Sequence, residues 1–287
     1  MAGLAVTGAT GGIGGRVARR LAGRGAAQRL VVRDPSRAPA LPGAEVARAA
    51  YGDPEALRRA LDGVDTLLLV SASETLGRVA LHTGAVDAAV AAGVRRIVYA
   101  SFLACSPDAT FTFARDHWHT EEHIRRTGVR HTFLRDSLYL DMFPLFAGAD
   151  GVIRGPAGDG RVAGVARDDI ADVAVAVLLG DGHDGRVYDL TGPAAFTMRE
   201  AAEELSKATG RTVGYHAETL DEAYASRAGY GAPDWEVTGW VTTYAAVATG
   251  ELDVVSDTVE RVAGHPPMDL AEFLRRNPDS YRHLVEG

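Results

Sequence analysis

The amino-acid sequence predicts an α/β protein with a doubly wound, mostly parallel sheet of the Rossmann type, and three observations predict it. A glycine-rich segment at residues 8–14 lies between a short apolar run and a helical pattern. Apolar runs and helical patterns then alternate through the first half of the chain, which is typical of βαβ units. After Tyr139 this alternation loosens, and the segment from Thr197 onward is mainly helical in pattern. We therefore expect a smaller, mainly helical domain interleaved at the C-terminal side.

Each predicted element follows from a local pattern. Asp53 directly precedes a proline, and Thr197 begins a capping box that ends in a glutamate, so both side chains are predicted to cap helices. Asp169 is likewise predicted to cap a helix over 170–179, whereas the glycine-rich stretch 148–164 predicts a loop. The predicted strands are residues 4–6, 30–32, 66–70, 97–100, 131–134 and 186–190, and the predicted helices of the first half are residues 14–22, 54–61, 80–92 and 114–127.

The glycine-rich segment predicts a phosphate-binding turn. Gly8, Gly11 and Gly14 are spaced three residues apart between the first strand and the first helix. Glycine permits a tight turn and a close approach of backbone to pyrophosphate, and the following helix offers unpaired N–H groups to an anion. This place in the chain makes a dinucleotide site the better interpretation, although a purely structural turn is the alternative.

The end of the second strand indicates which dinucleotide is bound. Arg33 follows the strand directly, and Asp34 comes next, before a proline. An acidic residue at this position binds the ribose 2′-hydroxyl of NAD, whereas a nearby arginine accommodates the 2′-phosphate of NADP. We therefore expect NADPH as the cofactor, with Asp34 turning the chain; a merely solvated Arg33 is the alternative.

These observations lead to an expected division into two domains. Residues 1–138 form the dinucleotide-binding domain, to which residues 162–192 return. Residues 139–161 and 193–287 form the smaller substrate-binding domain. Because no long linker or repeat separates the two parts of the sequence, the domains are expected to interleave.

Composition limits the partners. The formal net charge of -8 over 287 residues argues against a nucleic-acid partner, since phosphate neutralisation needs clustered lysine and arginine. The single cysteine, Cys105, excludes an internal disulfide framework and is typical of a cytoplasmic protein; we expect it to be a buried apolar residue. No apolar stretch has the length of a membrane span or a signal peptide. We expect a small-molecule partner and a monomer or homodimer.

The chain resembles the NmrA-like, atypical short-chain dehydrogenase/reductase family, and within it the bacterial type 2 NADPH:quinone reductases and the triphenylmethane reductases. It departs from the family pattern at Ala50, where many relatives have an acidic residue, and at Met142, where many have asparagine. The resemblance is carried by residues 6–14, 32–35, 53–57, 92–99, 132–135, 167–171 and 196–197. It implies cofactor contacts at Gly8, Thr10, Gly11, Gly12, Ile13 and Arg33, with Ser71, Ser101 and His117 near the nicotinamide.

The catalytic chemistry is constrained by a scarcity of lysine. Ordinary short-chain dehydrogenases use a Tyr-x-x-x-Lys pair, in which lysine lowers the tyrosine pKa, but the only lysine here is Lys207. His117 and Glu121 stand where that pair would be, four residues apart on one predicted helix. Glu121 is able to orient His117 and raise its proton affinity; a surface ion pair is the equally supported alternative.

The missing pair favours direct hydride transfer to a quinone or a similar electron-poor conjugated acceptor. Such an acceptor delocalises the developing oxyanion, so water or His117 suffices as proton donor, and the protein mainly aligns donor and acceptor. A flat acceptor needs apolar walls, and we expect Tyr139 and Phe143 to supply them. The candidate catalytic residues are therefore His117 and Tyr139.

Three alternatives remain open at this level. Residues 119–123 match the H-x-x-E-H pattern of zinc proteases, but five residues on a charged helix match by chance, and we expect no metal. A redox sensor that binds NADP without turnover would also suit the missing tyrosine and lysine. A ketoreductase or enoyl reductase of a biosynthetic pathway is the third alternative, since fold does not determine function.

Overall fold

Seven parallel strands form the central sheet of the computed structural model, which describes residues 3–285. The eleven strands of these residues are β1 (Leu4–Thr7), β2 (Gln28–Val32), β3 (Ala44–Arg48), β4 (Thr66–Val70), β5 (Arg96–Phe102), β6 (Arg130–Asp136), β7 (Val152–Gly155), β8 (Arg161–Val162), β9 (Val187–Leu190), β10 (Phe196–Thr197) and β11 (Gly214–Ala217). The sheet has the order β3-β2-β1-β4-β5-β6-β9, and every neighbouring pair in it is parallel. This confirms the predicted fold class.

Helices cover both faces of the sheet. The α-helices are α1 (Gly12–Gly23), α2 (Pro54–Ala60), α3 (Arg78–Ala91), α4 (Thr112–Thr127), α5 (Phe143–Phe146), α6 (Arg167–Leu179), α7 (Met198–Thr209), α8 (Leu220–Arg227), α9 (Asp234–Ala248), α10 (Leu270–Arg276) and α11 (Arg282–Val285). Helices α1 and α6 pack together on one face, while α2, α3 and α4 cover the other. Helices on both faces bury a parallel sheet completely, which is why its central strands read as continuous apolar runs.

An apolar cluster joins the end of the sheet to the C-terminal half. It brings Phe102, the last residue of β5, and the following Leu103 together with side chains of α7, α9 and α10. The chain between β6 and α6 takes part through Phe143 and Ile153. The C-terminal half is therefore held over the carboxyl end of the sheet by apolar burial.

Two of the three predicted helix caps are present in the structure, and the third is not. The Asp53 carboxylate accepts the Ala56 N–H at 2.9 Å, and Thr197 and Glu200 form the predicted capping box at the start of α7. The prediction for Asp169 was wrong, because α6 already begins at Arg167 and Ala166 is its N-cap. The Asp169 carboxylate instead accepts the distant Met268 N–H at 2.8 Å, a contact that only the folded chain provides.

Two predictions of irregular structure were also incomplete. Residues 148–164, predicted as a loop, contain β7 and β8, which pair with β11 and β10 of the C-terminal half. The edge strand β3 escaped prediction because it has no apolar run, and Val46 in its centre is 47% exposed. Both errors concern strands whose partners, rather than their own composition, stabilise them. Among residues 3–285, no helix combines the length and apolar character needed to cross a bilayer.

Candidate active site

The glycine-rich segment forms a tight turn between β1 and α1. Gly8 has a φ of +63°, and its carbonyl oxygen accepts the Gly11 N–H at 2.8 Å. A Cβ atom on Gly14 would lie 2.4 Å from that same carbonyl oxygen, so only glycine permits the helix to start this close to the strand. Glycine at position 14, the last of the three spaced glycines, is therefore a steric requirement of this turn.

The first turn of α1 is open to an anion. Its N-cap, Gly11, has no side chain to bind the free N–H groups, and the first turn contains no acidic residue. Thr10, Gly11 and Gly12 are exposed, whereas the Ile13 side chain is buried in the core beneath α1. Uncompensated N–H groups and the positive end of the helix dipole fit the pyrophosphate of a dinucleotide.

A cationic side chain stands at the end of the neighbouring strand β2. Within the described residues, the exposed Arg33 makes no hydrogen bond or ion pair. The adjacent Asp34 caps the short 3-10 helix after β2, accepting the Ser36 N–H at 3.0 Å and its hydroxyl at 2.7 Å. Asp34 is therefore engaged in the turn, as expected, and Arg33 is free to bind a phosphate.

The order of the sheet reverses between β1 and β4, which places a crevice at their carboxyl ends. Ser71 directly follows β4 and is partly buried at this edge. Ser101 lies near the end of β5 and is 2% exposed; its hydroxyl donates to Glu121 Oε1 at 2.6 Å. The Ser101 side chain thus ties β5 to α4, and the expected contacts of both serines with a nicotinamide stay predictions.

His117 lies in a buried hydrogen-bonded network at the same edge. Its Nε2 is 3.1 Å from Arg78 Nη2, and its Nδ1 is 3.0 Å from the Tyr99 hydroxyl. Arginine has only donors, so Nε2 must accept, and Nδ1 then carries the proton and donates to Tyr99. Burial, reinforced by the positive charge of Arg78, lowers the pKa of His117 well below its ordinary value.

The pair expected between His117 and Glu121 does not form. Glu121 binds the guanidinium of Arg135 through both oxygens, at 2.9 and 2.7 Å, and also accepts from Arg125. Burial opposes its ionisation, but the hydrogen bonds from Arg135 and Ser101 outweigh it and lower the pKa of Glu121. The expectation of raised proton affinity at His117 was therefore wrong, because its charged neighbour is an arginine and not a carboxylate.

Tyr139 lies just after β6 and is partly buried. Its hydroxyl donates to Asp136 Oδ2 at 3.3 Å, and the Arg167 guanidinium carbon lies 4.7 Å from its ring centroid. The Arg167 side chain also approaches Gly12, since a Cβ there would lie 3.1 Å from its Cδ. Arg167 therefore links the ring of Tyr139 to the glycine turn. Burial, followed by the nearby Asp136 carboxyl, raises the pKa of Tyr139 above its ordinary value.

Phe143 does not line an open site. It is fully buried in the cluster that joins the sheet to the C-terminal half, against Phe146 and Phe196. The prediction that it lines the acceptor was therefore wrong, because its ring completes the core. The open aromatic wall is made instead by Phe113 of α4 and Trp235 of α9, whose ring centroids are 6.1 Å apart.

These two rings line a cleft of about 410 Å³ between the loop after β4 and helices α4 and α9. Arg78 and Asp116 line the same cleft, beside the network of His117. The sequence analysis did not single out Arg78 or Trp235 as site residues. The position of Arg78 could have indicated its role, because it begins the helix after β4, the strand at which the order of the sheet reverses.

The only lysine of the sequence and the H-x-x-E-H segment both lie outside this arrangement. Lys207 is on the exposed surface of α7 and is paired with Glu204 at 2.7 Å. In the H-x-x-E-H segment, His123 binds Asp87 at 2.7 Å, while Glu122 binds Arg125 at 2.6 Å. No cluster of three or more metal-ligand side chains occurs in the part of the chain that is described.

Known proteins are similar to this chain along nearly its whole length. A family model described as NAD(P)H-binding matches residues 8–181. The chain is 37% identical over 276 residues to quinone oxidoreductase 2 of Escherichia coli, covering 94% of this chain and 96% of that protein. It is also 37% identical over 285 residues to (4-alkanoyl-5-oxo-2,5-dihydrofuran-3-yl)methyl phosphate reductase of Streptomyces griseus, covering 96% and 98%.

Solved structures agree with these similarities. The NADPH-dependent quinone oxidoreductase of E. coli complexed with NADPH superposes with a TM-score of 0.88 at 34% identity, covering 95% of this chain and 99% of that one. The triphenylmethane reductase of Citrobacter sp. complexed with NADP(H) gives a TM-score of 0.85 at 30% identity, with the same coverage. Both similarities include the C-terminal half that closes the cleft.

Proposed function

The chain belongs to the NAD(P)H-binding family of NmrA-like oxidoreductases, and on that premise we propose that it transfers hydride from NADPH to a quinone or a similar electron-poor conjugated acceptor. Its acceptor occupies the aromatic cleft beside the loop that follows β4, at the carboxyl edge of the sheet. The enzyme class follows from family membership; the acceptor and the residue roles are the proposal.

The residues at the glycine turn fit the cofactor. The N–H groups of Gly12 and Ile13, together with Gly8, Thr10 and Gly11 of the turn, bind the pyrophosphate, and Arg33 binds the 2′-phosphate. Ser71 and Ser101, at the ends of β4 and β5, flank the nicotinamide. When bound, NADPH supplies the hydride.

The observation that carries the reaction type is the chemistry of α4. Where a tyrosine and a lysine would supply a strong acid, this helix has a neutral His117 and a Glu121 that is ion-paired to Arg135. A simple ketone forms a localised alkoxide that needs such an acid. A quinone spreads the charge over its ring and takes its proton from water. Tyr139 is assigned to the wall of the site beside the glycine turn, and His117 to positioning.

A second candidate is an enoyl reductase, and the Streptomyces griseus relative favours it. That relative's name describes a ring double bond conjugated to carbonyl groups, which accepts hydride at carbon and leaves an enolate oxyanion. The two candidates share one site and one hydride transfer, and they differ only in the acceptor that the cleft admits.

The test is the oxidation of NADPH by the purified protein with a panel of acceptors. The panel contains 2-methyl-1,4-naphthoquinone, an azo dye, an α,β-unsaturated lactone and a simple aliphatic ketone, and the loss of reduced-nicotinamide absorbance is followed. We expect turnover with the quinone and none with the ketone. Turnover with the lactone alone supports the enoyl reductase, and tight NADP binding without turnover on any acceptor supports a redox sensor instead.

The remaining expectations belong to the same proposal. The division into 1–138 with 162–192, and 139–161 with 193–287, assigns the cofactor to the sheet and the acceptor to the C-terminal half. The net charge of -8 and the single cysteine support a small-molecule partner rather than nucleic acid, and a cytoplasmic location. Light scattering on the purified protein decides between the proposed monomer and homodimer.

A further inference from the structure

We propose that Arg78 is a catalytic residue that binds and stabilises the oxyanion formed on the acceptor, and that the cleft lined by Phe113, Trp235 and Asp116 holds that acceptor. This inference rests on the proposed hydride transfer and names a group that stabilises the developing charge without supplying a proton.

The first argument is the incomplete hydrogen bonding of a buried cation. Arg78 is 4% exposed; its Nε donates to the Ala72 carbonyl at 2.9 Å and its Nη2 to His117 at 3.1 Å. Its Nη1 is buried and has no hydrogen bond within the described residues. Its ion-pair partner, Asp116 Oδ2, is 3.7 Å away, beyond hydrogen-bond distance, and Asp116 lines the cleft. A buried N–H without an acceptor is costly and rare in folded proteins, and a ligand oxygen satisfies it once the partly exposed Asp116 side chain moves aside.

The second argument is the place of this cation. Arg78 lines the cleft of about 410 Å³ together with Asp116, Phe113 and Trp235. That volume lies within the range of sites for small organic ligands, which are lined by aromatic side chains and a few polar groups. The aromatic wall is able to pack against a flat conjugated ring, and the cationic donor is able to bind an oxygen that the ring carries.

The third argument is the preorganisation of the guanidinium. His117 Nε2 accepts a hydrogen bond from Nη2, and its Nδ1–H donates one to the Tyr99 hydroxyl at 3.0 Å, while burial keeps the pKa of His117 low. A neutral histidine holds Arg78 without competing with it as a second cation. His117 is therefore a positioning residue, and the positive charge aimed at the acceptor is the permanent charge of the arginine.

The reaction balances without a further reagent. The acceptor takes one hydride, with both electrons, from the reduced nicotinamide, and its carbonyl oxygen becomes an oxyanion. Arg78 Nη1 donates a hydrogen bond to that oxyanion and remains protonated. Water then supplies the single proton that completes a hydroquinone, while NADPH is left oxidised to NADP⁺. The stabilisation acts where charge develops, as in an oxyanion hole.

The experiment compares two acceptors in the variant Arg78→Met. Removing one oxyanion donor typically lowers kcat about 100- to 1,000-fold, and we expect a loss of this size with 2-methyl-1,4-naphthoquinone. A cationic triarylmethane dye becomes neutral when it accepts hydride and forms no oxyanion. Its turnover by Arg78→Met is therefore expected to fall far less than turnover of the quinone, and added guanidinium ion is expected to restore part of the quinone activity.

A matched control separates catalysis from folding. Arg96 is also a buried arginine, 8% exposed, but it lies at the start of β5 and binds Asp184 and the Val177 carbonyl. Arg96→Met is expected to lower the melting temperature while leaving the ratio of quinone to dye turnover unchanged. If Arg78→Met slows both acceptors equally, its role is structural and the inference is overturned.

A binding measurement keeps the inference testable even without turnover. With oxidised cofactor present, 4-nitrophenol is expected to bind the wild-type protein as its coloured phenolate at a pH where free 4-nitrophenol is mostly neutral. Arg78→Met is expected to lose this absorbance. A phenolate signal that persists in the variant contradicts the role of Arg78, whereas absence of turnover by the wild-type protein on every acceptor contradicts the proposed function itself.

Discussion

At the scale of single residues, the site is cationic through arginine alone. Arg33 faces solvent at the end of β2, and Arg78 is buried at the start of α3. His117, the obvious titrating side chain, is kept neutral because its neighbour is a cation and its surroundings are dry. Arginine stays charged at every ordinary pH, so neither binding of the 2′-phosphate nor stabilisation of an oxyanion depends on a proton equilibrium in the protein.

The role of Arg33 is tested by comparing the two nicotinamide cofactors. Arg33→Ala removes the charge that we propose to bind the 2′-phosphate, a group that NADH lacks. We expect the KM for NADPH to rise about 10- to 100-fold, as charge-assisted hydrogen bonds of roughly 1.5–3 kcal/mol imply, with little change for NADH. The exposed Arg58 of α2, paired with Glu55, provides the control variant Arg58→Ala. Equal effects of Arg33→Ala on both cofactors would remove it from the 2′-phosphate site.

At the scale of elements, the width of the cleft is set by the contact between α4 and α9. Gly239 of α9 lies directly against the Phe113 ring, because a Cβ atom there would be only 2.3 Å from Phe113 Cε2. The two helices therefore approach closely at one glycine, and the Phe113 ring has Phe111, Trp235 and the cleft as its other neighbours.

The variant Gly239→Ala tests this spacing. The added methyl group is expected to push the Phe113 ring into the cleft, since the tip of a side chain yields more easily than a helix backbone. The KM for the quinone should rise, while the KM for NADPH should not, because none of the proposed cofactor contacts lines the cleft. Gly229→Ala is the control, because nothing lies within 4 Å of a Cβ there. Parallel changes in both KM values would indicate a wider distortion.

At the scale of the whole molecule, buried neutral side chains shape the dependence of stability on pH. His82 is fully buried in the same network as His117 and accepts the Ala72 N–H at 2.8 Å. Burial, followed by the charge of Arg78, lowers the pKa of His82 to about 3. The unfolded chain binds a proton at this side chain below about pH 6.5, whereas the folded protein does not.

Stability is therefore expected to be complete above about pH 6.5 and to fall as the pH decreases. At pH 5, His82 alone should cost about 2 kcal/mol of unfolding free energy, from a difference of roughly 1.5 pH units at 1.36 kcal/mol each. Denaturant unfolding from pH 8 to 5 should show a shallower decline for His82→Gln than for the wild type. The exposed His119 gives the control His119→Gln, and identical declines for wild type and His82→Gln would exclude this source of acid sensitivity.

Local patterns in the sequence were sufficient to predict most of the fold. The apolar runs became strands of the parallel sheet, because a strand that is buried on both faces is apolar along its own length. Asp53 and Thr197 capped their helices, because a cap bonds to a backbone N–H only a few residues away. The turn at Gly8 was predictable for the same reason. Strand β3 was not, since its pairing with β2 supplies what its composition lacks.

The sequence by itself therefore determined the α/β class, the glycine turn and the expectation of NADPH, since each depends on neighbouring residues. Only the tertiary structure decided that Phe143 is core, that Glu121 pairs with Arg135, and that His117 meets Arg78. The contact of His117 with Arg78 joins α4 to α3, 39 residues away in the chain, and the pair of Glu121 with Arg135 joins α4 to β6, 14 residues away. Which partner a buried charge finds depends on the packing of these elements and on the dry surroundings that they create.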